Sequence, residues 1–168
     1  MIRELTPAGG PACDGVVLSL PYFFGHEGGR LDCAEAVRTQ RGWVACDHDE
    51  IVGFLTVTPS IDKTLEITWM AVRVGRRRQG TGRRLIEHAI GETRQALVVL
   101  TAGPSSDDLD ADPKDNYEGT RTFYRKMGFV PVKELTPSGW AQPALVLFGR
   151  RLDVTSTPSA GRRAPARV

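Results

Sequence analysis

One stretch, Leu65 to Glu87, constrains the fold of this chain more than any other. It begins Leu65-Glu66-Ile67-Thr68-Trp69-Met70-Ala71-Val72, rich in β-branched and aromatic residues and bounded by Lys63-Thr64 and Gly75. Such a run predicts a buried strand. An arginine-rich segment, Arg73 to Arg78, leads into Gln79-Gly80-Thr81-Gly82-Arg83-Arg84, and then Leu85, Ile86, Ala89 and Ile90 recur at the spacing of one helix face. The predicted order is strand, short basic loop, helix. A helix start leaves backbone N–H groups without partners and carries the positive end of the helix dipole. Gly80 and Gly82 lack the Cβ atoms that would hold a ligand away from those groups. Arg76, Arg77, Arg78, Arg83 and Arg84 bring full positive charges. Together these features describe a diphosphate cradle.

Two phosphate-binding signatures do not fit. The dinucleotide fingerprint needs a third glycine where this chain has Leu85, and the P-loop needs a Gly-Lys-Ser/Thr tripeptide that the chain lacks. What remains is Arg-x-x-Gly-x-Gly, carried by Arg77, Gly80 and Gly82, which resembles the acyl-coenzyme A motif of the GNAT family of N-acetyltransferases. Upstream, Glu66-Ile67 stands where several members, the histone acetyltransferase branch among them, carry a Glu-Ile pair with a catalytic glutamate. Downstream, Phe123-Tyr124-Arg125-Lys126-Met127-Gly128-Phe129 is similar to the family's Phe-Tyr-x-x-x-Gly-Phe element. The resemblance covers roughly residues 40 to 150. It departs at Val74, where proline is common, and at Arg78, where glycine is common; both bear on loop shape.

The resemblance implies an α/β fold of the α+β kind. Its central sheet is mixed and mostly antiparallel, has six to seven strands and is flanked by helices, the GNAT-like acyl-CoA N-acyltransferase fold. Two central strands splay apart, and the coenzyme lies in the opening. Acetyl-CoA is then the co-substrate, and the expected reaction moves its acetyl group to a primary amine by direct attack in a ternary complex. Implied coenzyme contacts are the backbone of Met70, Ala71 and Val72, the loop and helix start Arg77, Arg78, Gln79, Gly80, Thr81, Gly82 and Arg83, and Asn116, which follows a loop longer than is usual. The acceptor is a small-molecule amine or a protein or peptide amine, bound on the side of the first forty residues, which the resemblance covers poorly. The competing reading is a non-catalytic acyl-CoA sensor, which needs the cradle and no catalytic residues.

Amine acetylation needs a base for the amine and a proton or hydrogen bond for the departing thiolate. Glu66 is the candidate base. Strict alternation places it on one face with Thr68, Met70 and Val72; a structural ion pair at the start of the strand is the other reading. Tyr124 is the candidate acid. One of the adjacent rings Phe123 and Tyr124 must turn from the core, and the polar-tipped ring is the expected one; an aromatic of the helix–sheet core is the other reading.

The formal charge of +2 includes Arg162, Arg163 and Arg167 of the tail, so the body carries about −1 (2 minus 3). A nucleic-acid-binding face is not implied. No apolar run is long enough for a membrane span and no signal pattern opens the chain, which predicts a cytoplasmic protein with no membrane partner. Oligomeric state is not legible, and a homodimer is allowed. Cys13, Cys33 and Cys46 are widely spaced and read as reduced thiols, and His26, His48 and His88 do not join them at ligand spacing, so no metal is assigned.

Along the chain, Ile2 to Leu5 reads as an edge strand, Cys13 to Leu20 as a short helix, Tyr22-Phe23-Phe24 as an aromatic cluster for packing or for substrate, and Asp32 to Thr39 as a second helix. Gly42–Cys46 and Ile51–Val57 form a hairpin about the polar turn Asp47–Glu50. A helix from about Gly80 to Gln95 crosses to a parallel strand at Ala96–Thr101. Gly103 to Asn116 is an acidic loop, read as solvated or as a guide for a cationic amine. Tyr117 to Met127 is a helix closed by Gly128, and strands follow at Val130–Glu134 and Ala144–Phe148, with a turn about Thr136–Gly139. Residues 1–153 make one domain and 154–168 a disordered tail rich in Pro, Ser and Arg.

Overall fold

A computed structural model describes residues 1–24, 27–103, 117–135 and 145–152 of the chain. Its elements are β1 (Ile2–Glu4), α1 (Gly10–Leu18), α2 (Glu27–Thr39), β2 (Arg41–Asp47), β3 (Glu50–Pro59), β4 (Thr64–Val72), α3 (Thr81–Gly91), β5 (Leu97–Ala102), α4 (Tyr117–Lys126), β6 (Val130–Leu135) and β7 (Leu145–Arg151), with 3-10 turns at Pro7–Gly9 and Val74–Arg76. The seven strands form one sheet in the order β1-β2-β3-β4-β5-β7-β6. Every pairing is antiparallel except β4 with β5. That exception follows from α3, whose apolar face covers the sheet as the chain crosses between the two strands. The mixed, mostly antiparallel sheet with flanking helices is the architecture the sequence predicts.

The sheet has a core on each face. On one, α3 and α4 bring Leu85, Ile86, Ala89, Tyr124 and Met127 against Trp43, Ala45, Leu55, Val57, Leu65 and Ile67. On the other, α1 and α2 bring Cys13, Val16, Cys33 and Val37 against Val44, Phe54 and Ala71. Several boundaries differ from expectation. α2 begins at Glu27, through the glycine pair Gly28-Gly29. α3 stops at Gly91 rather than Gln95, because the Thr93 side chain takes the Gln95 N–H and Lys63 O takes the Ala96 N–H. Asn116, the rest of the acidic loop after Gly103, the turn at Thr136–Gly139 and the tail from 153 lie outside the described residues.

Two irregularities shape the centre of the sheet. In the β3–β4 ladder Thr56 pairs with Trp69 but Val57 pairs with Ile67, leaving Thr68 as an extra residue on β4, a β-bulge. The β4–β5 ladder runs only from Thr64↔Leu97 to Ile67↔Leu100. Beyond Ile67, β4 continues to Val72 without β5, which pairs on its other edge with β7. The strands therefore part where the bulge begins.

Candidate active site

α3 begins at that parting. Its N-cap, Gly80, has φ +78°, a left-handed conformation that L side chains rarely adopt, and no side chain caps the helix. The first-turn N–H groups thus have no intrahelical partner. Gly82 has a different constraint. A Cβ there would lie 3.3 Å from Phe123 Cζ and 3.8 Å from Met70 Cε. Gly80 is favoured by backbone geometry, whereas at Gly82 an added methyl would only touch the tips of two half-buried side chains from α4 and β4.

The arginines are unequal. Arg73 pairs with Glu50 at 3.3 Å, Arg76 with Asp47 at 2.7 Å and Arg83 with Glu87 at 2.7 Å along the helix. The Arg77 guanidinium lies 4.8 Å from the centroid of the Phe23 ring. Arg78 is exposed, has φ +62° and makes no ion pair with any described residue. The glycine-favouring conformation at Arg78 is the loop shape put in question by its sequence, and the chain adopts it with an arginine. Gln79 donates to Gly75 O at 3.2 Å and Thr81 is buried at the helix start. Bared amides and a surplus of cations suit a diphosphate.

β4 corrects one expectation. Leu65, Ile67, Met70 and Val72 belong to the α3/α4 face, and Trp69 and Ala71 to the α1/α2 face. The bulge at Thr68 interrupts the alternation, so Glu66 is on the face opposite Met70 and Val72 rather than beside them. Glu66 is half-buried. Thr68 turns to α2, where its hydroxyl donates to Gln40 Oε1 and so accepts from Thr56 Oγ1 at 2.9 Å. Trp69 lies 6.0 Å from Phe24, ring to ring.

The second correction concerns the rings of α4. Tyr124 is the one in the core, 7 % exposed and 5.9 Å from both Phe129 and Phe148, while Phe123 is half-buried over Gly82. The tyrosine supplies nearly as much apolar ring as phenylalanine, and the helix register points it inward. Burial pushes its pKa well above the ordinary phenol value, so the hydroxyl stays protonated. It makes no hydrogen bond with any described residue. Tyr117, at the start of α4, is also raised by burial, and its hydroxyl donates to Phe23 O at 3.3 Å. Among the described residues no group of three or more His, Cys, Asp or Glu is placed to hold a metal ion, and no helix is long and apolar enough to cross a membrane. A groove of about 540 Å³ beside α1, lined partly by Leu5, Val44, Ile51 and Arg73, includes no residue of the cradle.

The acetyltransferase (GNAT) domain model matches residues 38–131, more than half of the chain. The chain belongs to the GNAT acetyltransferase family. It is an enzyme that uses acetyl-coenzyme A as co-substrate. Solved structures agree in fold. A GNAT acetyltransferase from Elizabethkingia anophelis with acetyl-CoA bound has a TM-score of 0.67 at 20% identity, covering 90% of this chain and 97% of its own. Aminoglycoside 6'-acetyltransferase type Ii gives 0.68 at 20%, with 94% and 99% covered. The ribosomal-protein-S18-alanine N-acetyltransferase of Escherichia coli gives 0.68 at 15%, with 97% and 99% covered. No curated protein sequence matches this chain significantly. In this GNAT protein the residues that sequence reasoning missed are Thr68 as a bulge, its partner Gln40, and Tyr117. The unbroken apolar run Trp69 to Val72 carries no alternation that would reveal the bulge.

Proposed function

We propose that this GNAT protein acetylates a primary amine by direct attack on the thioester in a ternary complex. The carrying observation is the gap between β4 and β5 beyond Ile67, with the bared start of α3 at its mouth. The unpaired edge of β4 at Met70, Ala71 and Val72 offers main-chain groups to the pantetheine arm and to the thioester carbonyl. Gln79, Gly80, Thr81 and Gly82 offer amides to the diphosphate, with Arg77 and Arg78 as its cations. Arg83, engaged with Glu87, serves at the edge.

The acceptor enters from the α1/α2 face, where Glu66, Trp69 and Phe24 lie. Glu66, directly or through a water, takes the proton that the amine must lose. The nitrogen then attacks the carbonyl carbon, a C–N bond forms and the C–S bond breaks. Tyr124 stabilises the departing thiolate by hydrogen-bond donation. With its pKa raised well above that of a thiol, complete proton transfer from the phenol is uphill, so donation is the role its environment favours. The acceptor is a small-molecule amine or an amine of a peptide or protein.

The test is amine-dependent thiol release from acetyl-coenzyme A over a panel of arylalkylamines, amino acids, an aminoglycoside and peptide N-termini. Turnover with at least one amine is expected, with no acetyl-enzyme trapped when the amine is omitted. Release that proceeds through an isolable acetylated protein would overturn direct attack.

A further inference from the structure

The end of α2 reaches the strand that carries Glu66. Gln40 closes the helix, its N–H on Ala36 O at 2.9 Å, and Arg41 beside it already belongs to β2. No loop separates them, so helix and sheet together fix where the Gln40 side chain starts. Arg41, Val57 and Ile67 lie side by side across β2, β3 and β4. Gln40 and Glu66 each stand one residue before that row. A directed chain of hydrogen bonds joins the same strands. A threonine hydroxyl has one proton to donate. Thr68 spends it on Gln40 Oε1, so Thr56, wholly buried, donates to Thr68 at 2.9 Å. The chain grips β4 at the bulge, two residues from Glu66. Met70, Ala71 and Val72 do not depend on it, because they pair with Leu55, Phe54 and Gly53 of β3.

We propose that Gln40 is a positioning residue for the reaction, anchoring the β4 bulge through Thr68 so that the Glu66 carboxylate keeps the aim a base needs. The proposal rests on Glu66 being that base. A bulge residue is left unpaired in its ladder, so it is the point at which a strand can slip, and a slip of one residue reverses the facing of the side chains. Without the Gln40 oxygen, the Thr68 proton turns to a nearby main-chain carbonyl, which competes with the bulge geometry. A slightly misplaced base costs rate. Coenzyme affinity is spared, since the donor edge of β4 keeps its own pairs with β3.

The experiment is steady-state turnover of the full chain with acetyl-coenzyme A and the best amine of the panel, with calorimetric coenzyme A affinity and a thermal midpoint for each variant. Gln40→Leu keeps the bulk and removes the acceptor oxygen; kcat should fall about threefold to tenfold while the coenzyme A Kd stays within about twofold. Thr68→Val should lose as much or more. Thr68→Ser, which keeps the hydroxyl, should stay within about twofold of wild type, and Gln40→Leu should add less than about twofold in the Glu66→Gln background. An unchanged kcat, equal losses in both backgrounds, or a serine variant as slow as the valine one overturns the proposal and leaves Glu66 as base. A merely stabilising Gln40 would lower Tm and leave kcat unchanged. Glu66→Gln with wild-type turnover removes the base itself, and this proposal with it, as does a wild type that acetylates no amine. Gln40→Met replaces Gln40→Leu where the latter does not fold.

Discussion

The two glycines of the cradle separate backbone strain from ligand contact. At Gly80 nothing lies within 4 Å of an added Cβ, so the cost of Gly80→Ala comes from φ +78° alone. A left-handed L-alanine costs about 1–2 kcal/mol. Loss of glycine's freedom in the unfolded chain returns about 0.4–1 kcal/mol. The net is a destabilisation of about 1 kcal/mol, which for a chain of this size lowers Tm by about 2–4 °C. At Gly82 the φ is ordinary and the added methyl meets the tips of Phe123 and Met70, which can yield by a few tenths of an ångström. Helix propensity offsets that contact, so Gly82→Ala is expected to stay within about 0.5 kcal/mol of wild type. Its methyl nevertheless shares the helix start with the ligand, and misplacing one charge-assisted N–H contact predicts about tenfold weaker coenzyme A binding. Differential scanning fluorimetry and calorimetric titration of both variants read the two effects. A Gly80→Ala protein with unchanged Tm contradicts the strain argument, and a Gly82→Ala protein that binds coenzyme A as wild type does contradicts the cradle.

Glu66→Gln is expected to lower turnover at pH 7 by about a hundredfold or more, with the residual rate climbing as pH frees more of the amine; a wild-type pH–rate profile removes Glu66 as base. Tyr124→Phe removes a hydroxyl that hydrogen-bonds to no described residue, so Tm should hold while turnover falls about tenfold or more. Coenzyme affinity should stay within about twofold, and unchanged turnover refutes the thiolate role. Burial pushes the Cys13 and Cys33 thiols up from 9.0 to about 12. The folded state then holds those protons more tightly, so the associated stability is complete below pH 9 and is lost as pH rises toward 12. The loss approaches about 4 kcal/mol per thiol. Thermal melts from pH 8 to 10.5 should show a falling Tm whose slope is roughly halved in Cys13→Ala; parallel slopes would rule out control by these thiols.

Much of this molecule was legible where local chemistry and period agree. The run Leu65 to Val72, the glycines after it and the face of Leu85, Ile86 and Ala89 announced strand, loop and helix, and the structure has each of them. The order of the last two strands, with β7 inserted between β5 and β6, follows from pairings between distant residues that no local pattern carries. Side-chain facing was read less well. Phe123 and Tyr124 are adjacent and both aromatic, and only the register of α4 against Phe129 and Phe148 decides which enters the core. The aromatic triplet Tyr22-Phe23-Phe24 offered packing or substrate contact as alternatives; its reach to Arg77 depends on α1, α2 and the β4–α3 loop meeting in space.

The residue that organises the site most is Thr68, and nothing in its chemistry advertises this. As the extra residue on β4 it does two things at once. It reverses the alternation, so that Met70 and Val72 join Leu65 and Ile67 on the α3/α4 face while Glu66 keeps the α1/α2 face. It also adds local twist where the β4–β5 ladder ends, at Ile67↔Leu100. Beyond Ile67 the β5-facing edge of β4 has no ladder partner, so its main-chain groups stay open toward the gap. The hydroxyl of Thr68 ties the bulge to Gln40 and Thr56, satisfying a polar group in a half-buried place that valine would leave unanchored. One residue out of register thus sits where the edge of β4 becomes open and sets Glu66 on the face opposite Met70 and Val72. The proposed direct attack fits this arrangement: the amine reaches the carbonyl carbon from the side of Glu66 while the C–S bond breaks and the thiolate departs with the coenzyme.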